Sequence, residues 1–151
     1  TRHYFRIYFQ AFRSVKKTDE LLNQIRFLIY DPNTFKTEVI NSLINPLNKS
    51  VLIGPLFTGA LQDNVFLKEM LNSCDNDKLR KFLLTLTQEN DTGVVGFYDL
   101  SKIAKKLRKS VPKISYVIHE LRKQGFKASR THINGQGLKT NAPIELIKKY
   151  F

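Results

Sequence analysis

Residues 99–125 read Asp-Leu-Ser-Lys-Ile-Ala-Lys-Lys-Leu-Arg-Lys-Ser-Val-Pro-Lys-Ile-Ser-Tyr-Val-Ile-His-Glu-Leu-Arg-Lys-Gln-Gly. Leu100, Ile103, Ala104 and Leu107 fall at the i, i+3, i+4, i+7 spacing of one helix face, with Asp99 placed to cap it. Ser110 breaks the pattern, and Pro112 suits a first helical turn. Ile114, Val117, Ile118 and Leu121 repeat the spacing, and Gly125 closes the second helix. Two short amphipathic helices joined by a tight turn make a helix-turn-helix. Phe126–Ile133 then reads as a strand, Asn134-Gly135 as a turn and Leu138–Thr140 as a returning strand. A helix-turn-helix followed by a hairpin predicts a winged-helix unit over residues 96–151.

Upstream the period shortens to two. In residues 3–12, Phe5, Ile7, Phe9 and Ala11 alternate with Tyr4, Arg6, Tyr8 and Gln10, as in a half-buried strand. The Tyr/Arg face is suited to stacking on bases, or to packing against a helix or a neighbouring domain. Thr18 reads as the N-cap of a helix over 18–25. Strands follow at Arg26–Tyr30, Phe35–Ile40 and Ser50–Ile53, the last ending in Gly54-Pro55. Asp31-Pro32-Asn33 is a turn, and residues 41–50 a loop. From Asp63 the spacing turns helical, with Phe66, Met70 and Leu71 marking one helix and Leu79, Phe82 and Leu83 the next. The fold class expected is α+β: a small antiparallel sheet with helices over residues 1–95, followed by the winged-helix unit.

The charge is concentrated. The chain of 151 residues carries a formal net charge of +12. Residues 1–17 hold five basic residues and no acid, whereas residues 18–100 hold seven basic and eleven acidic residues. Residues 101–130 hold ten basic residues against Glu120 alone. A solubilising surface intersperses both signs, and this block does not, so its expected partner is a polyanion. Lys102, Lys105, Lys106 and Lys109 cover the first helix of the unit, and Ser115, His119 and Arg122 share a face of the second, with Tyr116 and Lys123 beside them. Lys127 and Arg130 fall on the wing. A cationic helix and wing together suit a nucleic acid.

Other classes are disfavoured. No glycine-rich loop follows a strand, so neither a dinucleotide nor a phosphate cradle is expected. His3, His119 and His132 lack metal-ligand spacing, and Cys74, the one cysteine, reads as a small core residue rather than a nucleophile. No pair of carboxylates sits in an apolar setting suited to acid–base work. The expectation is therefore no catalytic residue, no metal and no cofactor held by this chain. No apolar run approaches the ~20 residues of a membrane span. A lone thiol fits a reducing, cytoplasmic setting. Met70 is the one methionine, and Thr1 opens at once into a strand-like run, which reads as a domain cut from a longer protein.

Two stretches are more specific. Residues 54–61 read Gly-Pro-Leu-Phe-Thr-Gly-Ala-Leu; residues 128–133 read Ala-Ser-Arg-Thr-His-Ile, with Gly-Leu-Lys-Thr-Asn-Ala-Pro at 137–143. With the opening His3-Tyr4-x-Arg6-Ile7-Tyr8, they resemble the C-terminal domain of the tRNA (guanine(26)-N(2))-dimethyltransferase family. The order of all three matches and spans nearly the whole chain. Phe57 stands where the family usually has Trp, losing an N–H donor, and residues 31–50 lack the cysteines many members carry there.

The resemblance implies a parent enzyme that transfers one or two methyl groups from S-adenosylmethionine to guanine N2, without a metal in the chemistry. It also implies that the cofactor is bound by an N-terminal, Rossmann-like domain absent from this chain. The expected partners are tRNA and that methyltransferase domain, with no membrane. This chain by itself is expected to be inactive. The expected RNA-binding residues are Arg6, Lys102, Lys105, Lys109, Lys113, His119, Arg122, Lys123, Lys127, Arg130, His132 and Lys139. Arg130 and His132, inside the second motif, are expected to make ordered RNA contacts or else to brace the wing. The rival reading is a winged-helix DNA-binding transcriptional regulator, which would need neither residues 54–61 nor the N-terminal sheet.

Overall fold

In the computed structural model the described residues are 11, 13–42 and 49–151. The strand expected over residues 3–12, and Arg6 with it, lies outside them except for Ala11.

The first helix, α1, spans Val15–Leu22 and is capped by Ser14, whose hydroxyl accepts the Lys17 N–H at 3.3 Å. Thr18 was the expected cap. It sits instead within the helix and donates its hydroxyl to the Ser14 carbonyl at 2.8 Å. Both residues favour caps, and the extended backbone of Ser14 settles the competition one turn earlier.

Three strands follow, β1 (Ile25–Tyr30), β2 (Thr37–Ile40) and β3 (Val51–Phe57), in the antiparallel order β2-β1-β3. Two boundaries differ from expectation by more than one residue. Phe35 does not open β2, because its φ is 64° and its N–H returns to the Asp31 carbonyl at 2.8 Å. Asp31 also accepts from the Asn33 N–H and the Thr34 hydroxyl, closing a tight loop. That loop places Phe35 in the C-terminal core.

The second difference is at Gly54-Pro55, which was expected to end β3. The strand runs on to Phe57, with Gly54 and Pro55 opposing the single residue Phe27 in a bulge. An edge strand tolerates the lost proline donor. Gly54 has φ 145°, and a Cβ there would lie 2.7 Å from the Phe27 ring. Only glycine fits both conditions.

Next come α2 (Asn64–Asn72), capped by Asp63, and α3 (Asp77–Thr92), capped by Asn76 and ended by left-handed Gly93. Cys74, expected in the core, is only half-buried in the turn between them, with its thiol 3.5 Å from the Asn76 carbonyl. α3 packs on the C-terminal hairpin and buries Leu83, Glu89 and Thr92.

The C-terminal third holds α4 (Leu100–Leu107), α5 (Ile114–Lys123), β5 (Ala128–Arg130) and β6 (Gly137–Thr140). Asp99 caps α4 as expected, through the Ser101 and Lys102 N–H groups. Pro112 lies before α5 rather than in its first turn, because the buried face begins only at Ile114 and Lys113 takes the cap position. The strand expected over 126–133 contracts to three residues. Phe126 N–H still bonds back to Leu121, and His132 N–H leaves the ladder for the Glu89 carboxylate. Two elements were not anticipated, β4 (Tyr98–Asp99) and α6 (Ile144–Lys148). β4 makes the sheet three-stranded, in the order β4-β6-β5.

Leu100, Ile103, Val117, Leu121, Leu138 and Ile147 are wholly buried at the centre of this third. Truncating any one of them costs ~2–5 kcal/mol. The fold is α+β, with two small antiparallel sheets joined by helices. Among the described residues no helix is long and apolar enough to cross a membrane.

Candidate nucleic-acid interface

The amphipathic pattern of α4 and α5 decides where their charges go. Burial of Leu100, Ile103 and Ala104 leaves Lys102, Lys105 and, past the helix end, Lys109 exposed at i, i+3, i+7 spacing. Burial of Ile114, Val117 and Leu121 leaves Lys113, His119, Arg122 and Lys123 exposed. Lys127 and Arg130 are exposed at either end of β5. Among the described residues, Lys123 is the one lysine or arginine of this set with a carboxylate within reach, Glu120 at 3.3 Å. Unpaired cations at this density raise the local concentration of any polyanion.

Not all of the expected residues are equally available. The Arg122 Nε–H donates to the Ala128 carbonyl at 2.8 Å, fixing the start of the hairpin to α5. The Arg130 Nη1–H reaches the Gly135 carbonyl at 3.4 Å, across the turn. Each guanidinium keeps donors to spare. Lys106, not among the expected contacts, donates to Asn33 Oδ1 at 3.2 Å and ties α4 to the loop that carries Phe35.

His132 is committed. Its Nδ1–H donates to Glu89 Oε2 at 2.6 Å, and its backbone N–H to Glu89 Oε1 at 3.1 Å. Phe82 meets its ring edge-to-face at 5.7 Å between centroids. Burial pushes the Glu89 carboxyl up, but hydrogen bonds from Thr131 and His132 and the imidazole charge outweigh it and hold the group below its ordinary value. These contacts tie the loop after β5 to α3 through His132.

Glu89 carried no sequence expectation, yet a signal was present. It continues the stripe of Leu79, Phe82, Leu83 and Leu86 along α3, and a carboxylate on an apolar face needs a partner. It is only 3 % exposed.

The two motif stretches line one cleft. A cleft of about 480 Å³ is lined by Phe57–Gln62 on one side and Thr131–Ile133 on the other, with Glu89 at its edge and Lys139 half-buried in its wall. A second cavity of about 380 Å³, reached by Lys102, lies between the first sheet and β4. The segment Val94–Phe97 walls both. The cations of α4 and α5 thus form an outer surface, whereas His132 and Lys139 face the cleft, and the structure does not bring the two groups into one site.

The model of the N2,N2-dimethylguanosine tRNA methyltransferase family matches residues 1–151. A tRNA (guanine(26)-N(2))-dimethyltransferase of Methanobrevibacter smithii is 33% identical over 162 residues, covering 99% of this chain and 42% of that protein. One of Pyrococcus abyssi is 33% identical, covering 95% and 38%. Trm1 from Pyrococcus horikoshii, solved in complex with S-adenosyl-L-methionine, aligns with a TM-score of 0.77 and 29% identity over 89% of this chain and 37% of its own. The chain spans about two fifths of the length of the curated relatives it matches.

Proposed function

The chain belongs to the N2,N2-dimethylguanosine tRNA methyltransferase family, and from that premise we propose that it is the tRNA-holding part of a guanine-N2 methyltransferase. The observation that carries the reading is the exposed cationic surface of α4, α5 and β5, where Glu120 is the sole acid in residues 101–130. Lys102, Lys105, Lys109, Lys113, His119, Lys123, Lys127 and Arg130 meet phosphates, and Arg122 does so with the donors left after anchoring the hairpin. Such contacts give affinity and register, and base identity is read elsewhere.

In this reading residues 96–151 are a winged helix, with α4 and α5 as the helix-turn-helix and β5–β6 as the wing. Residues 1–95 are the sheet-and-helix part that presents it. Arg6 belongs to the same phosphate-binding set. His132 acts through the wing it braces, and Lys139 from the cleft wall.

S-adenosylmethionine would need a carboxylate free to take its ribose hydroxyls. Glu89, at the larger cleft, is engaged by His132 and Thr131. Asp99, at the smaller one, caps α4 with one oxygen and accepts from Asn134 with the other. Neither carboxylate is free for that task, and in this reading methyl transfer belongs to another part of the parent, in a cytoplasmic setting. This chain holds the substrate and carries no turnover.

The test is a titration of the chain with folded tRNA and with duplex DNA at two salt concentrations. The expected result is salt-dependent binding that favours tRNA. Tighter, sequence-selective binding to duplex DNA would make it a regulator instead and overturn the reading. Methyl transfer by the chain alone would overturn the assignment of chemistry.

A further inference from the structure

We propose that Tyr116 is a stacking platform for an unpaired nucleobase of the bound RNA, a role that rests on the tRNA-holding reading above. Tyr116 lies in the first turn of α5 beside Ile114 and Val117, which are 4% and 0% exposed, yet Tyr116 itself is 53% exposed. Its ring therefore fills little of the core.

An exposed tyrosine normally samples several rotamers, and fixing one costs binding energy. Here Tyr150 meets the ring edge-to-face, with centroids 6.1 Å apart and planes at 90°. The Tyr150 hydroxyl in turn accepts from Gln124 Nε2 at 2.7 Å, closing a path from the C-terminal segment back to the end of α5. The ring is oriented before any ligand arrives.

Its surroundings name the ligand. Lys113 at i−3, His119 at i+3 and Lys123 at i+7 share its side of the helix, all exposed. The nearby carboxylate, Glu120, is already met by Lys123 at 3.3 Å and His119 at 4.0 Å. An oriented aromatic among cations is the composition that binds single-stranded nucleic acid, the cations following phosphates while the ring takes a base face. A duplex hides its base faces, so Tyr116 selects loops, bulges or ends.

The experiment compares the wild-type chain with Tyr116→Ala, Tyr116→Leu and Tyr116→Phe. Binding is measured to a transcribed tRNA and to a blunt duplex RNA at two salt concentrations, with circular dichroism to confirm folding. Tyr116→Ala is expected to weaken tRNA binding by roughly 5- to 150-fold, the range found for losing one base stack. Its salt slope is expected to stay unchanged, since no charge is removed. Tyr116→Leu, which keeps apolar bulk without a ring, is expected to fail like alanine, whereas Tyr116→Phe keeps binding. Duplex binding is expected to be indifferent to all three. Tyr116→Ala binding tRNA like wild type, an equal loss on duplex RNA, or full rescue by leucine would each overturn the platform while leaving the tRNA-holding reading intact. No salt-dependent tRNA binding by the wild-type chain would overturn both.

Discussion

Replacing Glu89 with glutamine removes one charge from beneath the C-terminal hairpin and leaves the side chain's volume almost unchanged. In the native fold the carboxylate takes the His132 N–H at 3.1 Å, the His132 Nδ1–H at 2.6 Å and the Thr131 hydroxyl. A hydrogen bond to a charged group contributes ~1.5–3 kcal/mol, about twice a neutral one. Glutamine keeps one acceptor oxygen, enough for the backbone N–H, but offers an amide where the imidazole expects a carboxylate. Losing that bond and weakening the others is expected to cost ~2–3 kcal/mol. Glu89→Ala removes the acceptor of both His132 donors, leaving the part-exposed imidazole to solvent, and is expected to cost at least as much as the glutamine change.

The assay is urea unfolding followed by circular dichroism across pH. Because the folded Glu89 carboxyl titrates below its ordinary value, its stabilisation is complete above the unfolded value of ~4.3. It disappears as pH falls through the lower folded value. The gap between wild type and Glu89→Gln should therefore be full at neutral pH and close in acid. A neutral-pH gap below ~0.5 kcal/mol, the scatter of ordinary surface changes, would refute the brace. So would a gap that survives unchanged below the folded titration.

Charge reversal of Lys105 and Lys109, both exposed and without a carboxylate partner among the described residues, should weaken tRNA binding and lower the salt slope by ~0.7–0.9 for each phosphate no longer neutralised; filter binding at several salt concentrations measures it. Gly54→Ala should cost ~2–4 kcal/mol in chemical denaturation, because the new Cβ meets the Phe27 ring at φ 145°. Phe35→Ala should cost ~3–5 kcal/mol, since its ring is 8% exposed and belongs to the C-terminal core. For Phe35→Ala, hydrogen exchange should also show the β1–β2 hairpin opening independently of α4 and α5.

The sequence by itself determined the elements whose signals are local. Asp99 and the i, i+3, i+4, i+7 runs placed α4 and α5, because amphipathic spacing and a cap residue act within one helical turn. The family was legible because residues 54–61 and 128–133 resemble its motifs in the same order. The cationic character of residues 101–130 followed from counting. Boundaries were less legible. Ser14 and Thr18 are both good caps, and β3 crossed Gly54-Pro55 because it is an edge strand, which no local pattern reveals.

Tertiary structure alone decided which partners the motif side chains meet. His132 and Glu89 lie 43 positions apart, and only the packing of α3 against the hairpin brings the part-exposed imidazole onto the buried carboxylate. Phe35 likewise left its predicted strand for a core that residues 100–147 build. Tyr116 takes its orientation from Tyr150, which follows α6 and lies against α5. The physical reason is common to all three. Spacing along a chain reports which side a residue faces, whereas the partner it meets there is set by elements that are distant in sequence and pressed together by burial of apolar surface.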